Sequence, residues 1–329
     1  MRLLTDDQKD LCALVSDFCE KEIKPNLQEW DAKGIWPLEV YQRAYELGLN
    51  AFEMPEEFGG LGLDYQTAGV IYEQMGYYDS GLALTTVTTN LAWKPVLFGG
   101  TPEQKRLFWD LVLNGSGCAS FALTEPGGGS DVAATRTRAV REGDEYVISG
   151  AKCFITNGGG ASVFIVVAST DPALGSKGLT AFLVERDRPG IIIGKEEDKC
   201  GIRTSNTVEV VFEGVRVPID HRIGQEGDGF KLVMRTLDLS RPFIGAIATG
   251  MAQRALDEAI KYSKERITFG RPICRFQALQ FMMADMEMMV ETSRQMYVHA
   301  VDLAEKKLPF SKEAAIAKAY GTECATKVA

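Results

Sequence analysis

The chain predicts an α+β multidomain protein, and three observations lead there. Helical periodicity dominates residues 1–117, short apolar runs broken by turn residues fill 118–226, and helical periodicity returns over 227–329. Closely spaced β-type runs between two helical blocks point to a small antiparallel barrel or sandwich rather than a parallel α/β sheet. A chain of 329 residues suits two or three such domains.

In the first block, Thr5 and Gln8 have the spacing of a capping box. Leu11, Leu14, Val15 and Phe18 then fall on one helical face. A second helix runs from about Pro37 to Leu47 and stops at Gly48. The loop MPEEFGGLGLDY (54–65) is too rich in Gly and Pro for regular structure. Helices resume over about 66–75 and from Ser80 into the nineties. Thr101, Pro102 and Gln104 start another by supplying a cap, a Pro at the first position and a capping glutamine. The middle block contains CASFAL (118–123), EYVISGAKCFI (145–155), SVFIVVA (162–168), LTAFLVE (179–185), GIIIG (190–194) and TVEVVFEGVRV (207–217). In the last block, Phe243–Arg266 and Leu279–Glu305 read as long helices and Ser311 begins a third. The Met-rich run 282–289 reads as core packing at helical spacing. No stop signal precedes Ala329, so the domain 227–329 is expected to be incomplete.

Composition narrows the function. Lys and Arg total 36 against 45 Asp and Glu, a net charge of −9, so a nucleic-acid partner is not expected. The seven cysteines (12, 19, 118, 153, 200, 274 and 324) form no CxxC pair, which suits reduced thiols in a cytoplasm rather than a disulfide framework. With only His221 and His299, a His-rich metal site is excluded and no metal is expected. The N-terminus has no apolar signal core, and no uncharged run is long enough for an integral membrane segment.

Three segments carry chemistry. In Phe121–Asp131 an apolar run enters a turn with three consecutive glycines followed by Ser130. Such a turn lets backbone N–H groups approach an anion, or is simply a tight strand end. Lys152–Gly158 ends an apolar strand in Thr156 and Asn157. In Arg266–Gln277 the cations Arg266, Arg271 and Arg275 could meet a phosphate or cap a helix end. No GxxxxGK[ST] or GxGxxG motif occurs, and no GxSxG elbow supports a serine hydrolase.

Taken in order, MPEEFGGLG (54–62), TEPGGGSD (124–131), KCFITNGG (152–159), EVVFEGVRVP (209–218), the stretch 237–273 and FQALQFMMADM (276–286) resemble the acyl-CoA dehydrogenase family of flavoproteins, with the short- and medium-chain branch most similar. The resemblance spans nearly the whole chain. It implies a C-terminal four-helix-bundle domain, FAD as cofactor, a homotetramer, and α,β-dehydrogenation of an acyl-CoA thioester to a trans-2-enoyl-CoA. Hydride would pass to flavin N5 and electrons onward to an electron-transferring flavoprotein.

Carried over by position, the resemblance implies flavin contacts at Phe121, Leu123, Thr124, Gly129, Ser130, Phe154, Ile155 and Thr156. It implies contacts across a dimer at Arg266, Thr268, Phe269, Gln277 and Gln280. Ser130, Ser205, Asp238 and Arg241 would line the acyl-CoA path. The family's catalytic glutamate has no counterpart here. One branch carries its base at the position of Ser240, which cannot serve, so the base is expected beyond Ala329. The rival readings are an enoyl-CoA reductase running the reverse reaction, a flavin oxidase, and an inactive acyl-CoA- and FAD-binding relative.

Overall fold

The computed structural model describes residues 4–329. Thr5 opens α1 (Asp6–Phe18) through the reciprocal pair with Gln8 that the sequence predicts. There follow α2 (Leu27–Lys33), α3 (Leu38–Glu46), α4 (Tyr65–Tyr78), α5 (Ser80–Gly99) and α6 (Pro102–Leu113). Asp64 caps α4 by accepting from Thr67 N at 2.7 Å, and Thr101 caps α6 as predicted. Helix α2 escapes a sequence reading because none of its residues is buried, so it has no apolar stripe.

The strands are β1 (Ala119–Ala122), β2 (Arg138–Glu142), β3 (Glu145–Thr156), β4 (Val163–Ser169), β5 (Leu179–Glu185), β6 (Ile191–Glu196), β7 (Thr207–Pro218) and β8 (Arg222–Ile223). Strand β2 is absent from the sequence reading because only Ala139 is buried on it. Their order is β6-β7-β3-β2-β4-β5-β8, with β1 pairing β4. The wholly antiparallel sheet read from the sequence needs correcting: it is mixed. Strand β1 runs parallel to β4 from Ala119↔Val163 to Ala122↔Val166, and β2 meets β4 in parallel at Arg138↔Ser169. The β2–β3 hairpin lies between β1 and β4 in the chain, and β3 returns to the point where β1 began. Ser162 N donates to Cys118 O there, so β4 sets out beside β1 in the same direction. Among the described residues no pairing joins β6 to β8, so the barrel is not closed.

Strand β4 is buried on both faces. Val163, Ile165 and Val167 join Trp93, Phe108 and Trp109 of α5 and α6 in one cluster. Phe164, Val166 and Ala168 join Tyr146, Ile148, Val210 and Phe212 of β3 and β7 in the other. That double coverage explains the unbroken apolar run.

The last segment comprises α7 (Gly229–Glu265), β9 (Ile267–Thr268), β10 (Arg271–Pro272), α8 (Gln277–Glu305) and α9 (Ser311–Val328). Contacts divide the chain into two compact units. One holds the chain up to Gln28, Leu63–Ala83 and Asp238–Ala329; the other holds Glu29–Gly62 and Leu84–Leu237. Texture records local periodicity whereas compactness records packing, so helix α4 groups with α7 and α8. A Cβ at Gly250 would lie 2.0 Å from Glu73 O, and one at Gly76 2.3 Å from Ile247 O. Only glycine permits that approach of α4 and α7. The Met-rich run is corrected in part: Met283, Met286 and Met289 pack on a core of Leu256 and Val290, but Met282 and Met288 are exposed.

Candidate functional site

In the β-rich unit, the glycine turn and the end of β3 lie side by side. Cys153 N donates to Thr124 O at 2.9 Å. Glu125 and Gly128 exchange backbone hydrogen bonds, making the turn that the sequence allowed. Phe121 is buried, Leu123 and Thr124 are half-buried, and Gly129 and Ser130 are exposed.

On β3, Cys153 and Ile155 are buried while Phe154 between them is 63% exposed. Phe154 also has φ 57, a conformation that bulky side chains rarely adopt. The register against β7 shifts between Lys152 and Ile155, and this irregularity turns the ring outward. Thr156 follows, half-buried, with its carbonyl accepting from Ser120 Oγ at 2.8 Å. Asn157, fully buried at φ 65, donates through Nδ2 to Thr85 O at 2.9 Å and Ala119 O at 3.1 Å. The strand end is thus fixed to α5 and β1.

Two charged residues that sequence reasoning did not single out lie beneath this surface. Lys152 is fully buried and donates to Glu125 Oε1 at 2.8 Å and Leu123 O at 3.0 Å. Glu125 also accepts from Arg136 N at 2.7 Å and Thr137 N at 2.9 Å. Burial pushes the Glu125 carboxyl up, but the Lys152 ammonium and the donors from Thr137 and Arg136 outweigh it and hold the pKa below its ordinary value. Burial holds the Lys152 ammonium below its ordinary value despite Glu125. A lysine on the inward face of an apolar strand was the available signal.

Ser205 lies in the same unit, 1% exposed, with no hydrogen-bond partner for Oγ. It lines a cavity of about 240 Å³ with Lys33, Lys199 and Arg203.

The helical unit holds the other expected positions. Asp238 and Arg241 form an ion pair with each other, and Asp238 also accepts from Ser311 Oγ. Thr268 and Arg271 pair across the β9–β10 hairpin, whose two central residues, Phe269 and Gly270, have φ 55 and 76. Phe269 is 90% exposed. Arg266, Gln277 and Gln280 are exposed, and Gln280 Nε2 donates to Cys274 O at 2.9 Å. Arg271 lies over the Phe276 ring at 4.5 Å.

Comparison with known proteins identifies the relatives. The acyl-CoA dehydrogenase N-terminal, middle and C-terminal domains match residues 5–116, 120–215 and 227–329. The chain belongs to the acyl-CoA dehydrogenase family. A short-chain specific acyl-CoA dehydrogenase of Megasphaera elsdenii is 40% identical over 99% of this chain and 86% of its own length. The structure of butyryl-CoA dehydrogenase from the same organism superposes with TM-score 0.95 at 39% identity, covering 100% of this chain and 87% of that one. A chain from a structure of the electron transferring flavoprotein of Acidaminococcus fermentans, directed towards a mechanism of flavin-based electron bifurcation, gives TM-score 0.96 at 40% identity, with coverages of 100% and 87%.

This acyl-CoA dehydrogenase is an oxidoreductase of CH–CH groups with FAD as its cofactor. The residues present fit a flavin. An outward-facing aromatic ring at a strained backbone position, next to a half-buried threonine on a fixed strand end, offers a stacking face and a hydroxyl together. Among the described residues no helix is long and apolar enough to cross a membrane.

Proposed function

We propose that this dehydrogenase acts on short acyl-CoA thioesters and passes electrons to an electron-transferring flavoprotein. The preformed strand end, exposed Phe154 beside anchored Thr156, is the observation that carries the site reading. Thr124 and Thr156 hydrogen-bond the flavin ring, and Phe154 packs against it. Phe121, Leu123 and Ile155 form the backing of that surface, while Gly129 and Ser130 approach the pyrophosphate through the exposed turn. FAD, when bound, supplies a two-electron acceptor for the hydride from the substrate β-carbon.

In the β-rich unit, Ser130 and Ser205 serve the coenzyme A portion; in the helical unit, the Asp238–Arg241 ion pair is a candidate contact for it. The buried, unpartnered Ser205 Oγ supports a polar ligand there, because an unmet hydroxyl costs free energy. The α-proton would be taken by a carboxylate, whose basicity rises when bound thioester desolvates it. Ser240, in α7, has no acid–base capacity for that step. Arg266, Thr268, Phe269, Gln277 and Gln280 serve the cofactor of a second copy in a homo-oligomer, a role that Phe269's exposure supports. The seven free cysteines suit a reducing compartment, the bacterial cytoplasm or a mitochondrial matrix.

A second reading, an acyl-CoA- and FAD-binding relative without turnover, rests on Ser240. Anaerobic addition of acyl-CoA thioesters of increasing chain length to the FAD-loaded protein separates the two. Bleaching of the flavin band, strongest with butyryl-CoA, supports the dehydrogenase. Thioester binding that shifts the band without bleaching supports the second reading.

A further inference from the structure

The Glu125–Lys152 pair is placed to do more than cancel two charges. Lys152 is wholly buried and the Glu125 side chain is 6% exposed. Replacing such a pair with apolar residues of similar volume often leaves a protein as stable or more so. An apolar pair could not, however, satisfy the backbone groups that this one holds. Lys152 Nζ ties Leu123 O, just before Thr124. The Glu125 carboxylate, just after Thr124, ties the amides of Arg136 and Thr137. Thr124 O itself accepts from Cys153 N, the neighbour of Lys152. The residues on both sides of Thr124 are therefore fastened through one ion pair, and the two ends of the 125–136 loop are drawn together by one carboxylate.

We propose that Glu125 and Lys152 are positioning residues: their ion pair clamps the glycine-rich loop shut at its base and sets the backbone of Thr124, and through it the grip on FAD. This rests on the placement of the flavin at Thr124 proposed above. Neither side chain touches the cofactor in this account; both act through the loop.

The test compares Glu125→Gln, Lys152→Met and the double variant with the parent. The readouts are FAD dissociation constant by flavin fluorescence, urea unfolding of the apoprotein, and amide exchange at Arg136 and Thr137. Each single variant strands a buried charge, so stability falls and FAD affinity drops about tenfold or more. The double variant restores neutrality and regains most of the stability. Its FAD affinity stays about tenfold weak, because methionine cannot donate to Leu123 O and an amide cannot accept through its nitrogen.

Recovery of FAD affinity together with stability in the double variant overturns the inference, since the pair is then structural only. Single variants that bind FAD like the parent also overturn it. A parent whose FAD affinity is unmoved by Thr124→Ala defeats the site reading itself, and the inference with it. A variant-free check is available: in the parent apoprotein the Arg136 and Thr137 amides exchange as slowly as those of the β3–β7 ladder, and fast exchange there contradicts the clamp.

Discussion

The end of β3 and the β9–β10 hairpin both carry residues assigned to a flavin, and they are built in opposite ways. Around Phe154 and Thr156 the backbone is fastened from beneath by Asn157, Ser120, Lys152 and Glu125, with only the Phe154 ring facing outward. Around Phe269 the support is a two-residue turn, and the ring is 90% exposed. The β-rich unit presents a preorganised surface, whereas the hairpin presents a ring that meets Phe276 edge-on and is otherwise open to solvent. A ligand surface of the first kind is complete within one chain; one of the second kind calls for a partner.

Substitutions can break this contrast, beginning with the largest effect. Asn157→Ala removes a donor to the carbonyls of Thr85 and Ala119 and places alanine at a positive φ. It should cost about 2–3 kcal/mol in urea unfolding, from two lost hydrogen bonds of about 1 kcal/mol each and the strained backbone. FAD affinity should fall with it, because the strand end that carries Thr156 loosens. A stable variant with normal FAD affinity would show that the strand end is not preorganised by Asn157.

A second effect is pH-dependent. Burial alone would raise the Glu185 carboxyl, but His221 and Arg188, with the residue's own backbone N–H, outweigh it and lower its pKa from 4.5 to about 2. A depressed carboxylate stabilises the fold above the unfolded value and ceases to do so as pH falls through the folded one. Stability in the β-rich unit should therefore decline between pH 4.5 and about 2, and Glu185→Gln should flatten part of that slope in acid titrations followed by circular dichroism.

The smallest effect on stability belongs to Phe269→Ala. At an exposed turn it should change unfolding by less than about 0.5 kcal/mol. Size-exclusion and flavin retention are where it should register, with weaker assembly and easier loss of FAD.

The sequence was legible where structure is local. The Thr5–Gln8 and Thr101–Gln104 caps, the long helices and most strands follow from spacing within a few residues. Helix α2 and strand β2 were not legible, because exposed elements carry no apolar period. The parallel β1–β4 pairing depends on which strands meet after the chain returns, which no local pattern encodes. For the site, the segments around Thr124, Thr156 and Phe269 were singled out through motif order, but the Glu125–Lys152 pair was not. Its partners are 27 residues apart and meet only through the tertiary fold. The Met-rich run shows the same limit: its helical period was readable, but which methionines face a core was not.

The most direct test of the contrast is sedimentation velocity of the FAD-loaded parent protein, followed at the flavin absorbance band over a range of protein concentrations. A flavin held by the fixed strand end of one copy and the hairpin of another should sediment with species of at least twice the 36.1 kDa chain mass, and dilution to monomer should release it. Flavin bound at full stoichiometry to the monomer would contradict the account.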